Sequence, residues 1–128
     1  MRYLGIDYGT KRIGIAVSDD AGSFAFPKIT LDNNAKLWPA LKKMIADERA
    51  EELVVGDTRS MSGSENTVTA EADAFVARLA HETGKRVNRA REAWSSYEAA
   101  RYAEAGTEHD DSSAAAIILQ RFLDVLPH

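Results

Sequence analysis

Three carboxylates stand where predicted strands end or a predicted helix begins. Asp7 closes the first apolar run, Glu92 follows the last strand-like segment, and Asp111 precedes the run SSAAAIILQRFL. Open sheets of mixed helices and strands form their sites at the carboxyl ends of strands and at the N-termini of helices. These three side chains are therefore the candidates for a shared site.

Three carboxylates brought together without a cation would repel one another, and the pKa of at least one would rise. A divalent metal ion removes that conflict. Ligands that are all oxygen favour Mg²⁺ or Mn²⁺ over zinc. Two such ions about 3.5 to 4 Å apart activate water and stabilise the leaving oxygen when a phosphodiester is hydrolysed. The residue types therefore predict metal-assisted hydrolysis if the three groups converge.

Each carboxylate also has a purely structural interpretation. Asp7, directly before Tyr8 and Gly9, could shape a hairpin turn. Asp111 is suited to cap a helix, because its side chain can accept hydrogen bonds from free backbone N–H groups. Glu92 belongs to no local motif and could be a solvated surface group. Residue types and spacing leave both interpretations open.

Basic residues form short clusters although the formal net charge is −4. A negative net charge argues against a general polyanion binder, because affinity for a phosphate backbone comes from clustered Lys and Arg. It does not exclude nucleic acid as a partner. The basic positions are Lys11 and Arg12, Arg59, and then Lys85, Arg86, Arg89 and Arg91. For any single cluster, solvated surface charge is the simpler interpretation.

The first third of the chain predicts a β-meander. RYLGID and KRIGIAVSD have the apolar patterning of strands and flank the turn at Tyr8 and Gly9, so they form a hairpin. A third strand fits Ser23 to Leu31. Pro27 predicts that this strand lies at a sheet edge, because proline cannot donate to a β-ladder.

The rest of the chain predicts alternating helices and strands. Residues 35 to 49 have apolar side chains at helical spacing, and Pro39 is tolerable there only in the first turn. The run ELVVG at 52 to 56 is typical of a buried parallel strand that enters a loop. The remaining predicted elements are a helix over 68 to 79 ended near Gly84, a strand at 85 to 88, a helix from Ser95 to about Ala105 with a capping box at Ser95 and Glu98, and a helix after Asp111.

The predicted order is β-β-β-α-β-α-β-α-α, which corresponds to an α/β domain with a mixed five-stranded sheet flanked by helices. This order puts the first strand near the sheet centre, with its C-terminal end opening onto a site. A length of 128 residues with 45% hydrophobic content suits one compact domain over residues 1–128.

Other classes of protein are disfavoured by composition. The chain has no cysteine, which excludes a disulfide framework, a thiolate zinc site and a cysteine nucleophile. The start, MRYLGIDYG, is typical of a strand, and neither a signal peptide nor a transmembrane helix is evident. We therefore expect a cytoplasmic protein with no membrane partner.

Four segments in the right order resemble the YqgF family, whose members are described as Holliday-junction-resolvase-like and as nucleases of pre-16S rRNA. The segments are GIDYGTKRIGIAVSD at 5 to 19, VVG at 54 to 56, SSYEA at 95 to 99 and DSSAAAIILQRFLD at 111 to 124. The similarity covers nearly the whole chain, and its first motif is highly specific.

This resemblance implies a ribonuclease H-like fold, an active site with Mg²⁺ or Mn²⁺, and endonucleolytic cleavage of structured RNA or branched DNA. By motif, Asp7 matches the first catalytic aspartate, Glu92 the central glutamate and Asp111 the aspartate that opens the last helix. Lys11 and Arg12 would lie at the hairpin tip beside the site and contact phosphates. A homodimer is also implied, since a four-way junction is two-fold symmetric.

The chain departs from the family pattern at two places near the expected substrate face. Where the family usually has Asp-Glu-Arg, this chain has Arg91-Glu92-Ala93. The loop after VVG commonly contains Pro and Asn, but here it runs Asp57-Thr58-Arg59-Ser60. Arg91 could pair with Glu92 and compete with a metal, or it could replace the phosphate contact of the missing arginine.

Three hypotheses follow. The first is a metal-dependent nuclease that processes the 5′ end of pre-16S rRNA or resolves a four-way DNA junction. The second is a nucleic-acid-binding module of the same fold with weakened cleavage, and the third is a scaffolding protein that binds neither metal nor nucleic acid. The third requires that Asp7, Glu92 and Asp111 stay apart in the folded chain.

Overall fold

The computed structural model describes residues 1–57, 67–91 and 111–127. Its elements, in chain order, are β1 (Tyr3–Asp7), β2 (Arg12–Ser18), β3 (Ala25–Asp32), α1 (Leu37–Asp47), β4 (Glu52–Asp57), α2 (Thr67–Thr83), β5 (Arg86–Arg91) and α3 (Asp111–Asp124). The helix predicted from Ser95 to about Ala105 lies outside the described residues.

The five strands form one mixed sheet in the order β3-β2-β1-β4-β5. β1 pairs antiparallel with β2 and parallel with β4, and β2–β3 and β4–β5 extend the sheet on either side. The predictions of a mixed five-stranded sheet with β1 at its centre are therefore confirmed. Pro27 lies on the edge strand β3, where a register shift opposite Ile15 and Ala16 interrupts the ladder, as expected for proline.

One face of the sheet packs against α1 and α2. Because side chains alternate along a strand, Leu4 and Ile6 of β1 point to this face together with Ile13 and Ile15 of β2. Leu41 of α1 and the Phe75 and Leu79 side chains of α2 complete this core. The predicted apolar stripe of the first helix is thus its buried side, and Pro39 lies in its first turn.

The opposite face packs against α3. Ala16, Val54 and Ala90 from three strands meet a stripe of apolar residues on the helix, namely Ala115, Ile118, Leu119 and Leu123. Gly5 allows this contact, because a Cβ atom at Gly5 would lie 2.7 Å from the Cβ of Leu119. The close approach fixes α3 across the centre of the sheet.

The end of the last strand differs from the one predicted. β5 runs to Arg91, whereas the sequence predicted an end at Asn88. Its last three residues, Arg89-Ala90-Arg91, form no apolar run, yet they continue the ladder with β4. The Arg89 guanidinium donates a hydrogen bond to Asp73 of α2 at 2.9 Å. Gly84 takes the left-handed φ of +66° expected after a helix end.

No helix among the described residues is long and apolar enough to cross a membrane.

Candidate active site at the carboxyl end of the central strand

Asp7 is the last residue of β1 and lies half-buried at the carboxyl end of the central strand. Its Cα partner on β2 is Gly14. Directly opposed residues of an antiparallel pair project to the same face of a sheet. Gly5, two residues earlier on β1, meets Leu119 of α3. The Asp7 side chain is therefore on the α3 face, beside the position where Gly14 lacks a side chain.

Asp111 is the first residue of α3, and its backbone lies against Gly14 on the α3 face of the sheet. A Cβ atom at Gly14 would lie 1.9 Å from the carbonyl oxygen of Asp111 and 2.9 Å from its Cβ. The side chain of Asp111 is only 13% exposed. Asp7 and Asp111, far apart in sequence, thus both neighbour Gly14.

Asp111 lies in the first turn of α3. Its Oδ2 atom accepts a hydrogen bond from Nε of Arg12 at 3.1 Å. The carboxylate is therefore directed at the β1–β2 hairpin. The N-terminal end of a helix also stabilises a negative charge in its first turn.

Arg12 was predicted as a phosphate contact; in the structure it contacts Asp111, a partner that sequence reasoning missed. Its guanidinium forms an ion pair with Asp111 and is 55% exposed. Lys11, next to it at the hairpin tip, is also exposed. Nothing local in the sequence signals the ion pair, because 99 positions separate its two residues.

Asn33 clamps the hairpin that carries these groups, and sequence reasoning missed this residue as well. Its Nδ2 donates to the carbonyl oxygen of Gly9 at 2.9 Å. Its backbone N–H donates to the carbonyl oxygen of Lys11, also at 2.9 Å. Gly9 is required in this turn, since a Cβ atom there would lie 2.4 Å from the carbonyl oxygen of Arg12.

Aromatic packing holds the end of β1 from the other face of the sheet. Tyr8 follows Asp7 and stacks at 5.0 Å, centroid to centroid, on Phe75 of α2. Phe75 lies 5.4 Å from Trp38 of α1, and the guanidinium of Arg78 covers the Trp38 ring at 4.3 Å. The backbone at Asp7 is thus fixed between α3 on one face and this aromatic row on the other.

Of the remaining predicted site residues, the structure describes the backbone of Arg91. Arg91 is the last residue of β5 and pairs in register with Asp57 at the end of β4. Because β1, β4 and β5 are parallel, their carboxyl ends meet at one edge. Glu92 and Arg59 lie outside the described residues.

The donor set at this edge fits a hard divalent cation. Asp7 and Asp111 supply carboxylate oxygens, the ligands that Mg²⁺ and Mn²⁺ prefer. The absence of a side chain at Gly14 lets the backbone of Asp111 lie against the hairpin next to Asp7. Within the described ranges, no three His, Cys, Asp or Glu residues are grouped so that they could hold a metal ion.

Two solved structures share this architecture. A RuvC structure from Thermus thermophilus superposes with a TM-score of 0.62 at 16% identity, covering 96% of this chain and 94% of that one. The fowlpox virus resolvase in complex with Holliday junction DNA gives a TM-score of 0.64 at 10% identity, with 100% of both chains covered. These likenesses confirm the ribonuclease H-like fold.

Sequence relatives cover the chain from end to end. A protein of Oleidesulfovibrio alaskensis described as "Putative pre-16S rRNA nuclease" is 38% identical over 134 residues, which cover 98% of this chain and 93% of the relative. A protein of Opitutus terrae with the same description is 39% identical, with 100% and 98% covered. The family model described as "RuvX: Holliday junction resolvase" matches residues 1–125. The chain therefore belongs to the RuvX family, the YqgF family that its motifs resemble.

Proposed function

We propose that this protein is a divalent-metal-dependent endonuclease that cuts structured nucleic acid, with precursor 16S rRNA as its substrate. The observation that carries the proposal is that Asp7 and Asp111 both neighbour Gly14 at the end of the central strand. Membership of a resolvase family supplies the reaction class. The name shared by the relatives favours ribosomal RNA precursor over a DNA junction.

Asp7, Asp111 and Glu92 are the residues we assign to hold the metal. When bound, Mg²⁺ or Mn²⁺ supplies Lewis-acid activation of water and of the scissile phosphate. Asp7 is held at a strand end packed on both faces, so its carboxylate needs little reorganisation to bind a cation. Asp111 is mostly shielded from water, which strengthens its interaction with a cation.

Basic residues around the same edge would orient the substrate. Lys11 and Arg12 project from the hairpin tip beside Asp7, and we assign them to phosphate contacts together with Arg59 and Arg91. Such contacts set the register of a nucleic acid on the protein without reading its sequence. A homodimer acting in the cytoplasm is part of this proposal.

The proposal is tested by cleavage of a 5′-extended 16S rRNA precursor and of a mobile four-way junction with Mg²⁺ or Mn²⁺. Asp7→Asn keeps the side-chain shape but removes the charge, so we expect it to lose more than the roughly 10- to 100-fold that follows loss of an outer-shell partner. Asp47→Asn, an exposed position on α1, is the matched control. Equal cleavage by wild type and Asp7→Asn would remove Asp7 from the mechanism.

A second candidate is a nucleic-acid-binding module with weakened cleavage. The departure at Arg91-Glu92-Ala93 favours it, because it reverses a charge beside the assigned glutamate. Calorimetry separates the two candidates. RNA affinity that falls with salt, combined with an absence of divalent-metal binding, would favour the binding module over the nuclease.

A further inference from the structure

We propose that Arg12 is shared between Asp111 and the substrate, so that divalent metal and nucleic acid bind cooperatively. The Arg12 guanidinium holds Asp111; when a cation takes that carboxylate, the guanidinium turns to a phosphate group. The inference rests on the proposed function, since it requires that Asp111 is a metal ligand. It adds a coupling between the binding of divalent metal and the binding of nucleic acid.

The two partners of the ion pair differ in their freedom to move. Asp111 is 13% exposed, and its backbone is pressed against Gly14. Arg12 is 55% exposed and reaches Asp111 only through Nε, at 3.1 Å. A guanidinium carries five N–H donors, so this bond engages one of them. The Asp111 carboxylate is therefore held in place, whereas the Arg12 side chain is able to rotate away.

The backbone under Arg12 is fixed even though its side chain is exposed. Arg12 opens β2 and pairs with Asp32 of β3, an exposed carboxylate on the neighbouring strand. The turn before it is clamped by the two hydrogen bonds from Asn33 to Gly9 and Lys11. A change of partner therefore needs only rotation of the side chain, which leaves the position of Asp7 undisturbed.

A divalent metal ion and the Arg12 guanidinium compete for Asp111, because both are positively charged. Both are cations that seek the same carboxylate oxygens, and a divalent ion beside Arg12 would repel it. A displaced guanidinium at the hairpin tip gains a phosphate as its new partner, with bidentate geometry available. Because coupling between binding sites is reciprocal, nucleic acid that draws Arg12 away must raise metal affinity by the same factor.

The first test measures Mn²⁺ affinity by calorimetry in the absence of nucleic acid. Arg12→Gln removes the competing cation, and we expect Mn²⁺ to bind roughly two- to fivefold tighter, the factor that corresponds to a partly exposed ion pair. Lys11→Gln removes the same charge from the adjacent residue and controls for the general electrostatic potential. Arg12→Lys keeps the charge at the site. Only tightening beyond that of Lys11→Gln supports the proposal.

The second test measures binding of a structured RNA in EDTA and in Ca²⁺. We expect Arg12→Gln to weaken RNA binding more in Ca²⁺ than in EDTA, because only the metal-bound protein frees Arg12 for phosphate. A purely structural role for Arg12 would weaken binding equally in both conditions. Circular dichroism and a thermal melt of each variant confirm that the fold is retained.

The outcomes separate this inference from the proposed function. If wild type binds Mn²⁺ but Arg12→Gln binds it no tighter than Lys11→Gln does, the sharing of Arg12 is wrong and the nuclease proposal stands. If neither wild type nor Arg12→Gln binds Mn²⁺, the metal site itself is wrong, and the inference falls with it.

Discussion

At Gly14 the absence of a side chain lets the backbone of Asp111 approach the central hairpin. The two aspartates assigned to the metal depend on this contact, because Gly14 is the cross-strand partner of Asp7 and lies against the backbone of Asp111. A methyl group at this position would overlap the carbonyl oxygen of Asp111. The start of α3 would then have to shift away from β1.

We predict that Gly14→Ala lowers stability by about 1 to 3 kcal/mol, the usual cost of overpacking, and also weakens Mn²⁺ binding. Gly5→Ala is the matched control, since it forces the same helix away at Leu119, two turns from the site. It should lower stability but retain most of the metal affinity. Urea unfolding and calorimetry measure both effects. Equal loss of Mn²⁺ binding in the two variants would contradict the role of Gly14.

Asp19 gives a pH-dependent prediction at a turn remote from the assigned site. The backbone N–H groups of Ser23 and Phe24 donate to its Oδ1 at 2.8 and 3.2 Å. These bonds hold the pKa of the carboxyl below its ordinary value of 3.8. Stabilisation from a carboxyl with a lowered pKa is fully present above the ordinary value and is lost as pH falls through the lowered one.

We therefore expect Asp19→Asn to be less stable than wild type at neutral pH and to lose less stability than wild type on acidification below 3.8. The measurement is the melting temperature as a function of pH, with Asp47→Asn as a control for loss of one negative charge. Parallel curves for Asp19→Asn and wild type throughout the acid range would show that the turn does not favour the ionised carboxyl.

At the residue scale, the sequence locates the candidate carboxylates where a local pattern sets the end of a strand or the start of a helix. Asp7 and Asp111 could be selected because each sits at the end of an apolar pattern, and the pattern also sets where the strand or helix stops. The Arg12–Asp111 ion pair and the role of Asn33 could not be selected, since their partners are set by tertiary packing across many residues. Arg12 was assigned to phosphate alone for that reason.

At the scale of elements, the β1–β2 hairpin is supported by the segment that follows β3. Asn33 supplies one side-chain and one backbone hydrogen bond to the hairpin tip. Asn33→Ala removes only the side-chain bond to Gly9, so we predict a loss of about 1 kcal/mol in the free energy of unfolding. Denaturant unfolding checks this value. Unchanged stability would mean that water replaces the bond at no cost.

β5 shows why element boundaries were harder to predict than element types. Its sequence, RVNRAR, has one strongly apolar residue, Val87. The strand extends to Arg91 because β4 offers a parallel partner through Asp57 and because α2 offers Asp73 to Arg89. Both contacts depend on tertiary structure, so the residue pattern of β5 alone does not predict where the strand ends. The extension brings the end of β5 to the residue directly before Glu92.

At the scale of the whole molecule, one sheet separates two hydrophobic cores that differ in the size of their side chains. The face covered by α1 and α2 holds most of the large buried side chains, including Leu4, Ile6 and Leu41. The face covered by α3 uses small residues such as Ala16 and Ala115, which lets the helix approach closely. The order of elements predicted the central position of β1, but it did not predict which helices cover which face, because that depends on tertiary packing.

The central claim is that Asp7 and Asp111 hold a shared divalent cation at the end of β1. The most direct measurement is a crystal structure grown with Mn²⁺ and analysed by anomalous scattering. We predict a peak between the two carboxylates, with metal–oxygen distances of about 2.0 to 2.2 Å, and with Arg12 no longer bonded to Asp111. Mn²⁺ absent from this position in well-ordered crystals, or bound only elsewhere, would contradict the account.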